Sequence, residues 1–328
     1  MKKKLLLTYL VVLVGFIGLL YYLNLDFSMV FEIRKPLFFL LAFPLFLLSF
    51  PFFALRVKSI LKGVNENVSL ANLTKLEFIN RFVLNITPSK LNVPIKAVLL
   101  HKVFGVEKKN AVSSISLEFF MDVGIQLFFS IIGIYLFFAS LAYISLESLF
   151  LIGLLALGTS VVFFLIPIRF FDSLISFSDK LSHSFIKRMS KFCFDTMKHI
   201  RITWISILFG KQFVPIVFSV ALIVLFQALS IEAVFFSYDY YFPLVYIIVI
   251  NSVALIVSAA APVPAGFGVR EGTLILLFVF LGVPEEIAVA VAILSRIVAL
   301  FPVLVGYYFA SNMGVKNFLN LKKSFKII

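Results

Sequence analysis

Five ionisable side chains sit inside otherwise apolar sequence in this chain: Glu118, Asp122, Arg270, Glu271 and Arg296. A charge at the centre of a bilayer costs at least about 2.5–3.5 kcal/mol on insertion scales, so such residues persist where they bind, relay or pair. Arg270 and Glu271 belong to the run APVPAGFGVREG, Ala261 to Gly272. Pro262 and Pro264 cannot continue a helix, while Gly266, Gly268 and Gly272 admit positive φ or the close approach of a ligand. Interrupted backbone at membrane depth is tolerated only where protein or a wet cavity satisfies it. A helix starting near Val269 would turn free N–H groups and the positive end of its dipole toward that cavity. Arg270 adds a planar donor fork that matches phosphate oxygens. The expectation is a cradle for a headgroup phosphate made by Gly266, Gly268, Arg270 and Arg296. The competing expectation is that Arg270 and Glu271 pair with other buried charges and merely hold the chain in place.

Earlier in the chain, Ser114, Glu118, Asp122 and Gln126 recur every four residues and so share one helix face. Two carboxylates there do not both ionise cheaply, which predicts a held or shared proton, or pairing with Arg296, Arg270 or Lys96. Pairing is the simpler outcome, with Glu118, Asp122 and Glu271 tuning the cavity. Near Thr87-Pro88-Ser89-Lys90, the bases Arg81, Lys90 and Lys96 either guide an anionic headgroup, with Lys96 joining the phosphate set, or reach to the interface. No catalytic residue, cofactor or metal is expected. The chain has no GxxxxGK[ST] loop and no GxSxG elbow, and His101, His183 and His199 lack ligand spacing. The single Cys193 excludes an intramolecular disulfide.

The elements that must position these residues follow from composition. The chain is 62% hydrophobic and 14% charged, against about 45–50% and about 25% in soluble domains, so an all-α integral membrane protein is expected. Leu5–Leu23, Leu37–Leu55, Ala111–Phe138, Leu149–Pro167, Val214–Ile231 and Ile287–Ala310 read as six full spans, the first an uncleaved anchor rather than a signal peptide. Net charge is +13, and 25 of 29 basic residues fall in 1–4, 56–110, 168–212 and the basic tail 311–328. Arg34 and Lys35 face seven acids in the other loops. Such a bias points to both termini in the cytoplasm, and to anionic lipid rather than nucleic acid as the partner of the excess charge.

The topology closes if two segments are re-entrant: a cytoplasmic hairpin near 70–100 in a first half, 1–138, and an outer hairpin near 243–282 in a second half, 213–310. Both precede a long helix carrying buried charge, which is the pattern of an inverted-topology repeat with its site at the repeat interface. Region 168–212, with apolar residues at helical spacing among lysines, reads as a helix lying on the membrane or packed on the bundle.

APVPAGFGVREG, followed by LGVPEEIAVAVAILSRIVALFPVLVGYY, resembles the flippase-like membrane region of lysylphosphatidylglycerol synthases, which also occurs as stand-alone proteins. NITPSKLNVPIKAVLL and SLEFFMD are similar to that family's first break and acidic segment, although Asn92, Val93, Lys96 and Phe119 depart from its pattern. The resemblance implies a multi-pass protein of a prokaryotic plasma membrane that translocates an anionic phospholipid or lipid-linked intermediate. The functional residues it carries over are Gly266, Gly268, Arg270, Glu271, Arg296, Glu118 and Asp122. With eighteen residues after Ala310, the aminoacyl-transferring domain of the synthases is not expected in this chain. A membrane glycosyltransferase, or an accessory subunit of cell-envelope glycan or lipid synthesis, is the competing class. A homo-oligomer or envelope-biosynthesis partners would fit either.

Overall fold

The structure, a computed structural model, describes residues 28–87, 92–139, 194, 197–207, 209–261 and 263–312. The spans expected at Leu5–Leu23 and Leu149–Pro167, the tip of the first hairpin, most of 168–212 and nearly all of the tail lie outside the described residues.

The site is positioned by α1 (Pro36–Gly63), α2 (Leu70–Ile86), α3 (Asn92–Phe104), α4 (Lys108–Ala139), α5 (Phe213–Ser237), α6 (Leu244–Ala260), α7 (Val269–Phe280) and α8 (Glu285–Asn312). Helix α1 starts on a proline, whose fixed φ and missing N–H suit the first turn. Helix α2 starts at Ser69, whose hydroxyl accepts the Asn72 N–H at 3.3 Å. Helices α1, α5 and α8 and the 108–133 stretch of α4 are each long and apolar enough to cross a membrane. Large outward side chains such as Leu37, Val214 and Leu304 are more than 60% exposed, a surface suited to hydrocarbon rather than water. The protein is therefore an all-α, multi-pass membrane protein. Two charges sit differently from the linear reading. Arg56 and Glu232, counted with flanking loops, lie within α1 and α5.

Among the described residues, helices α1–α4 are repeated by α5–α8. Lengths run 28, 17, 13 and 32 residues, then 25, 17, 12 and 28. Helices α1 and α5 end alike: Asn65 and Asp239 take φ of 61° and 60°, and the next N–H reaches back five residues, Glu66 to Leu61 and Tyr240 to Phe235. Helices α2 and α6 each end in an extended residue, Thr87 and Ala261, immediately before a proline. Helices α3 and α7 each end at a left-handed glycine, Gly105 and Gly282. The register thus matches Pro88 with Pro262.

The equivalent long helices α1 and α5 run antiparallel. The Lys35 N–H donates to the Ser237 carbonyl, the Ser230 hydroxyl to the Ala42 carbonyl, and Phe52 stacks on Phe226. Two further contacts are exchanged between halves, α2 packing on α8 and α6 on α4. Each exchange passes through a glycine. A methyl at Gly306 would run into the Phe78 carbonyl, and one at Gly133 into the Val249 side chain. The apolar core of the second half centres on Phe235, Phe242 and Phe278, with Phe278 edge-on to both partners at 5.0 and 5.5 Å. Of region 168–212, helical residues 197–207 place Ile207 and Trp204 against Ile60, Leu117 and Ile216. At that end, the segment packs on the bundle.

Candidate functional site

A cavity of about 270 Å³ lies between the two hairpins, lined from both halves of the chain. Its ionisable residues form two groups of opposite character.

The first group is a chain of five charges on α1 to α4. Arg56 donates through Nη1 to Asp122 Oδ1 at 2.5 Å and through Nη2 to Asp122 Oδ2 at 3.1 Å and Glu118 Oε1 at 2.6 Å. Lys96 Nζ donates to Glu118 Oε2 at 2.7 Å and lies between the two oxygens of Glu77, at 2.6 and 2.8 Å. Arg56, Lys96, Glu77 and Glu118 are all less than 5% exposed, whereas the Asp122 side chain is 38% exposed toward the cavity. Three carboxylates thus share two cations, and each carboxylate has at least one. Of the two outcomes weighed for Glu118 and Asp122, a shared proton or pairing, the geometry is that of pairing: Glu118 with Lys96, and both acids with Arg56, which the linear reading counted with the flanking loop. Lys96, expected among the phosphate ligands, is engaged by two carboxylates.

The second group sits at the break between α6 and α7. Gly268 has φ of 81° and begins α7, and its N–H donates to Glu271 Oε2 at 2.7 Å. One of the N-terminal donors expected to face a ligand is therefore capped by the helix's own third residue. Gly266, at φ 63°, has a structural task as well, because a Cβ there would strike the Ser258 side chain. Arg270 Nη2 donates to Asn251 Oδ1 at 3.0 Å and lies 3.9 Å from Glu271. Arg296 Nη1 donates to Glu271 Oε1 at 3.2 Å and to the Ala265 carbonyl at 3.3 Å, with its guanidinium 5.0 Å above the Phe267 ring. The Nε of Arg296 is buried without a hydrogen-bond partner. Two arginines here share one carboxylate, itself half committed to the α7 cap.

Sequence reasoning singled out Glu118, Asp122, Arg270, Glu271 and Arg296, and all five line or border this one cavity. It passed over Arg56, Glu77 and Asn251. One usable signal was the spacing of acceptor and base in each hairpin, since Glu77 to Lys96 and Asn251 to Arg270 are both 19 residues.

Comparisons with known proteins point to a membrane-protein family. Residues 5–306 match the family described as the lysylphosphatidylglycerol synthase TM region. A UPF0104 membrane protein of Methanocaldococcus jannaschii is 27% identical over 288 residues, covering 83% of this chain and 84% of that protein. No solved structure matches the chain at a significant level.

Proposed function

This chain belongs to the lysylphosphatidylglycerol synthase transmembrane-region family, and on that premise we propose that it carries an anionic phospholipid, or a lipid-linked intermediate, between membrane leaflets. The observation that supports the reading is Arg270 and Arg296 sharing the single carboxylate of Glu271, at a helix break bordering a cavity. In a low-dielectric setting an uncompensated guanidinium is unfavourable, and a phosphate oxyanion is the partner its planar fork fits best. A volume of about 270 Å³ holds a headgroup but not acyl chains, and the chains would remain in the surrounding hydrocarbon.

The setting proposed for this activity is the plasma membrane of a prokaryote, with both termini in the cytoplasm as the basic loops demand. The hairpins α2–α3 and α6–α7 then enter from opposite faces and meet at the cavity. Antiparallel α1 and α5 and the exchange of hairpins between long helices support that arrangement, since an inverted repeat can open its shared site to either side by rocking one half against the other.

Leaflet exchange of a fluorescent phosphatidylglycerol in reconstituted vesicles tests the reading. The parent protein accelerates exchange, and Arg270→Ala slows it by about ten-fold or more, the loss expected when a charge-assisted hydrogen bond worth about 1.5–3 kcal/mol disappears. Folded Arg270→Ala protein moving lipid as fast as the parent would sink the phosphate role.

A further inference from the structure

The second group has a third member that comes from the other half of the molecule. Arg81, on α2, lines the same cavity as Arg270 and Arg296. Its guanidinium is 5.4 Å from the Phe46 ring, and it makes no ion pair with a carboxylate among the described residues. The Nε atoms of Arg81 and Arg296 are both buried without a hydrogen-bond partner. Among the described residues, no neighbouring acid is left to serve Arg81. Glu77 is held by Lys96, Glu118 by Lys96 and Arg56, Asp122 by Arg56, and Glu271 by Arg296 and the Gly268 N–H.

Its position is nevertheless firmly imposed. Helix α2 lies against α8 where Gly306 removes the side chain that would block the Phe78 carbonyl, and Phe82, next to Arg81, packs edge-on to Tyr307 at 5.5 Å. Close packing therefore holds a third guanidinium near two others with one carboxylate among the three. Three like charges are brought together in a poorly solvated space, where their repulsion is large unless an anion enters.

We infer that Arg81 is the third ligand of the phosphate, so that an oxyanion is held between α2 of the first half and α7 and α8 of the second. This rests on the reading of the cavity as a phosphate site, and it adds a consequence that reading does not contain: ligand binding ties the two halves together. A phosphodiester offers two non-bridging oxygens, one for Arg81 and one for the Arg270–Arg296 side. Arg81 then differs from a structural arginine in the sign of its effect on the empty protein. Removing it relieves repulsion when the site is vacant and removes a ligand when the site is filled.

Thermal unfolding of the full-length protein in an uncharged detergent separates these roles, with phosphatidylglycerol, inorganic phosphate or diacylglycerol added. Phosphatidylglycerol is expected to raise the Tm of the parent, and diacylglycerol to leave it unchanged. Arg81→Gln without lipid should unfold at or above the parental Tm and should bind phosphatidylglycerol at least ten-fold more weakly, with Arg81→Lys intermediate. If phosphatidylglycerol stabilises the parent and Arg81→Gln equally, this inference fails and the phosphate site at Arg270 and Arg296 stands. If lipid-free Arg81→Gln unfolds well below the parent, Arg81 is structural and the inference fails. If no phosphate-bearing molecule stabilises the parent, the inference falls together with the reading beneath it. Stabilisation by inorganic phosphate as strong as by the lipid, lost in Arg81→Gln, would uphold Arg81 as a ligand while removing the lipid as the cargo.

Discussion

In the first hairpin the base Lys96 lies between two carboxylates, whereas in the second Arg270 has the amide oxygen of Asn251 and a carboxylate 3.9 Å away that Arg296 and the Gly268 N–H already engage. The frames are the same: a 17-residue helix, a break before a proline, a shorter helix closed by a left-handed glycine, and an acceptor 19 residues before the base. What differs is the acceptor, glutamate in one half and asparagine in the other. That exchange leaves Lys96 fully paired and Arg270 short of a counter-charge. Equivalent positions in a repeat can thus divide the work, one fixing the frame with internal ion pairs and the other keeping charge available to a ligand.

The largest effect is expected from breaking the saturated side. Arg56→Ala leaves Asp122 without a cation and Glu118 with Lys96 alone, and removing one partner of a buried pair costs about 3–5 kcal/mol. Thermal unfolding in detergent should therefore show Arg56→Ala far below the parent. Arg270→Ala, which removes a cation from a group already in excess, should fall much less. Equal losses at the two sites would erase the contrast between the halves.

An intermediate effect is expected at the exchanged contacts. Gly306→Ala pushes a methyl into the Phe78 backbone carbonyl, which cannot turn away, while Gly133→Ala meets a Val249 side chain, which can. Overpacking that forces backbone to move costs about 1–3 kcal/mol, so Gly306→Ala should lower the unfolding temperature more than Gly133→Ala. The reverse order would mean that α2 is not held on α8 as described.

The smallest effect belongs to the loop pair outside the cavity. Lys35 donates to Asp239 at 2.7 Å, with both side chains about half exposed. This hydrogen bond, and then the lysine's charge, hold the Asp239 carboxyl below its ordinary value. A lowered carboxylate pKa adds stability above the unfolded-state value and loses it as pH falls through the lowered one. Asp239→Asn should leave unfolding at neutral pH nearly unchanged and should flatten only the acid side of a stability profile, because exposed pairs are weak. A large change at neutral pH would show that this loop, and not the buried groups, governs stability.

The linear pattern made the breaks and the buried acids and bases visible because apolar sequence is a sharp background. Against it, Glu118, Asp122, Arg270, Glu271 and Arg296 stand out one by one. Arg56 and Glu77 were hidden by the opposite circumstance, and Arg81 was read only as a base near the first break. They fall in 56–110, a stretch rich enough in lysine and polar residues to read as a cytoplasmic loop with one hairpin in it. Their placement comes from packing that no local window contains, α1 against α4 for Arg56 and α2 against α8 for Arg81. Lys96 was legible as a base near the first break, and its engagement by Glu77 and Glu118 depends on two other helices.

By itself, then, the amino-acid sequence determined the membrane as solvent, the long spans, the two proline-marked breaks and a set of charges too costly to leave idle, all properties of composition within one helix length. Pairing was decided by tertiary structure alone. Which cation each carboxylate neutralises depends on contacts between helices far apart in the chain, and in a low-dielectric interior those contacts separate a bound counter-ion from a charge left for a ligand. Folding spends the acids of the first half on Arg56 and Lys96 and leaves the arginines of the second half to share Glu271.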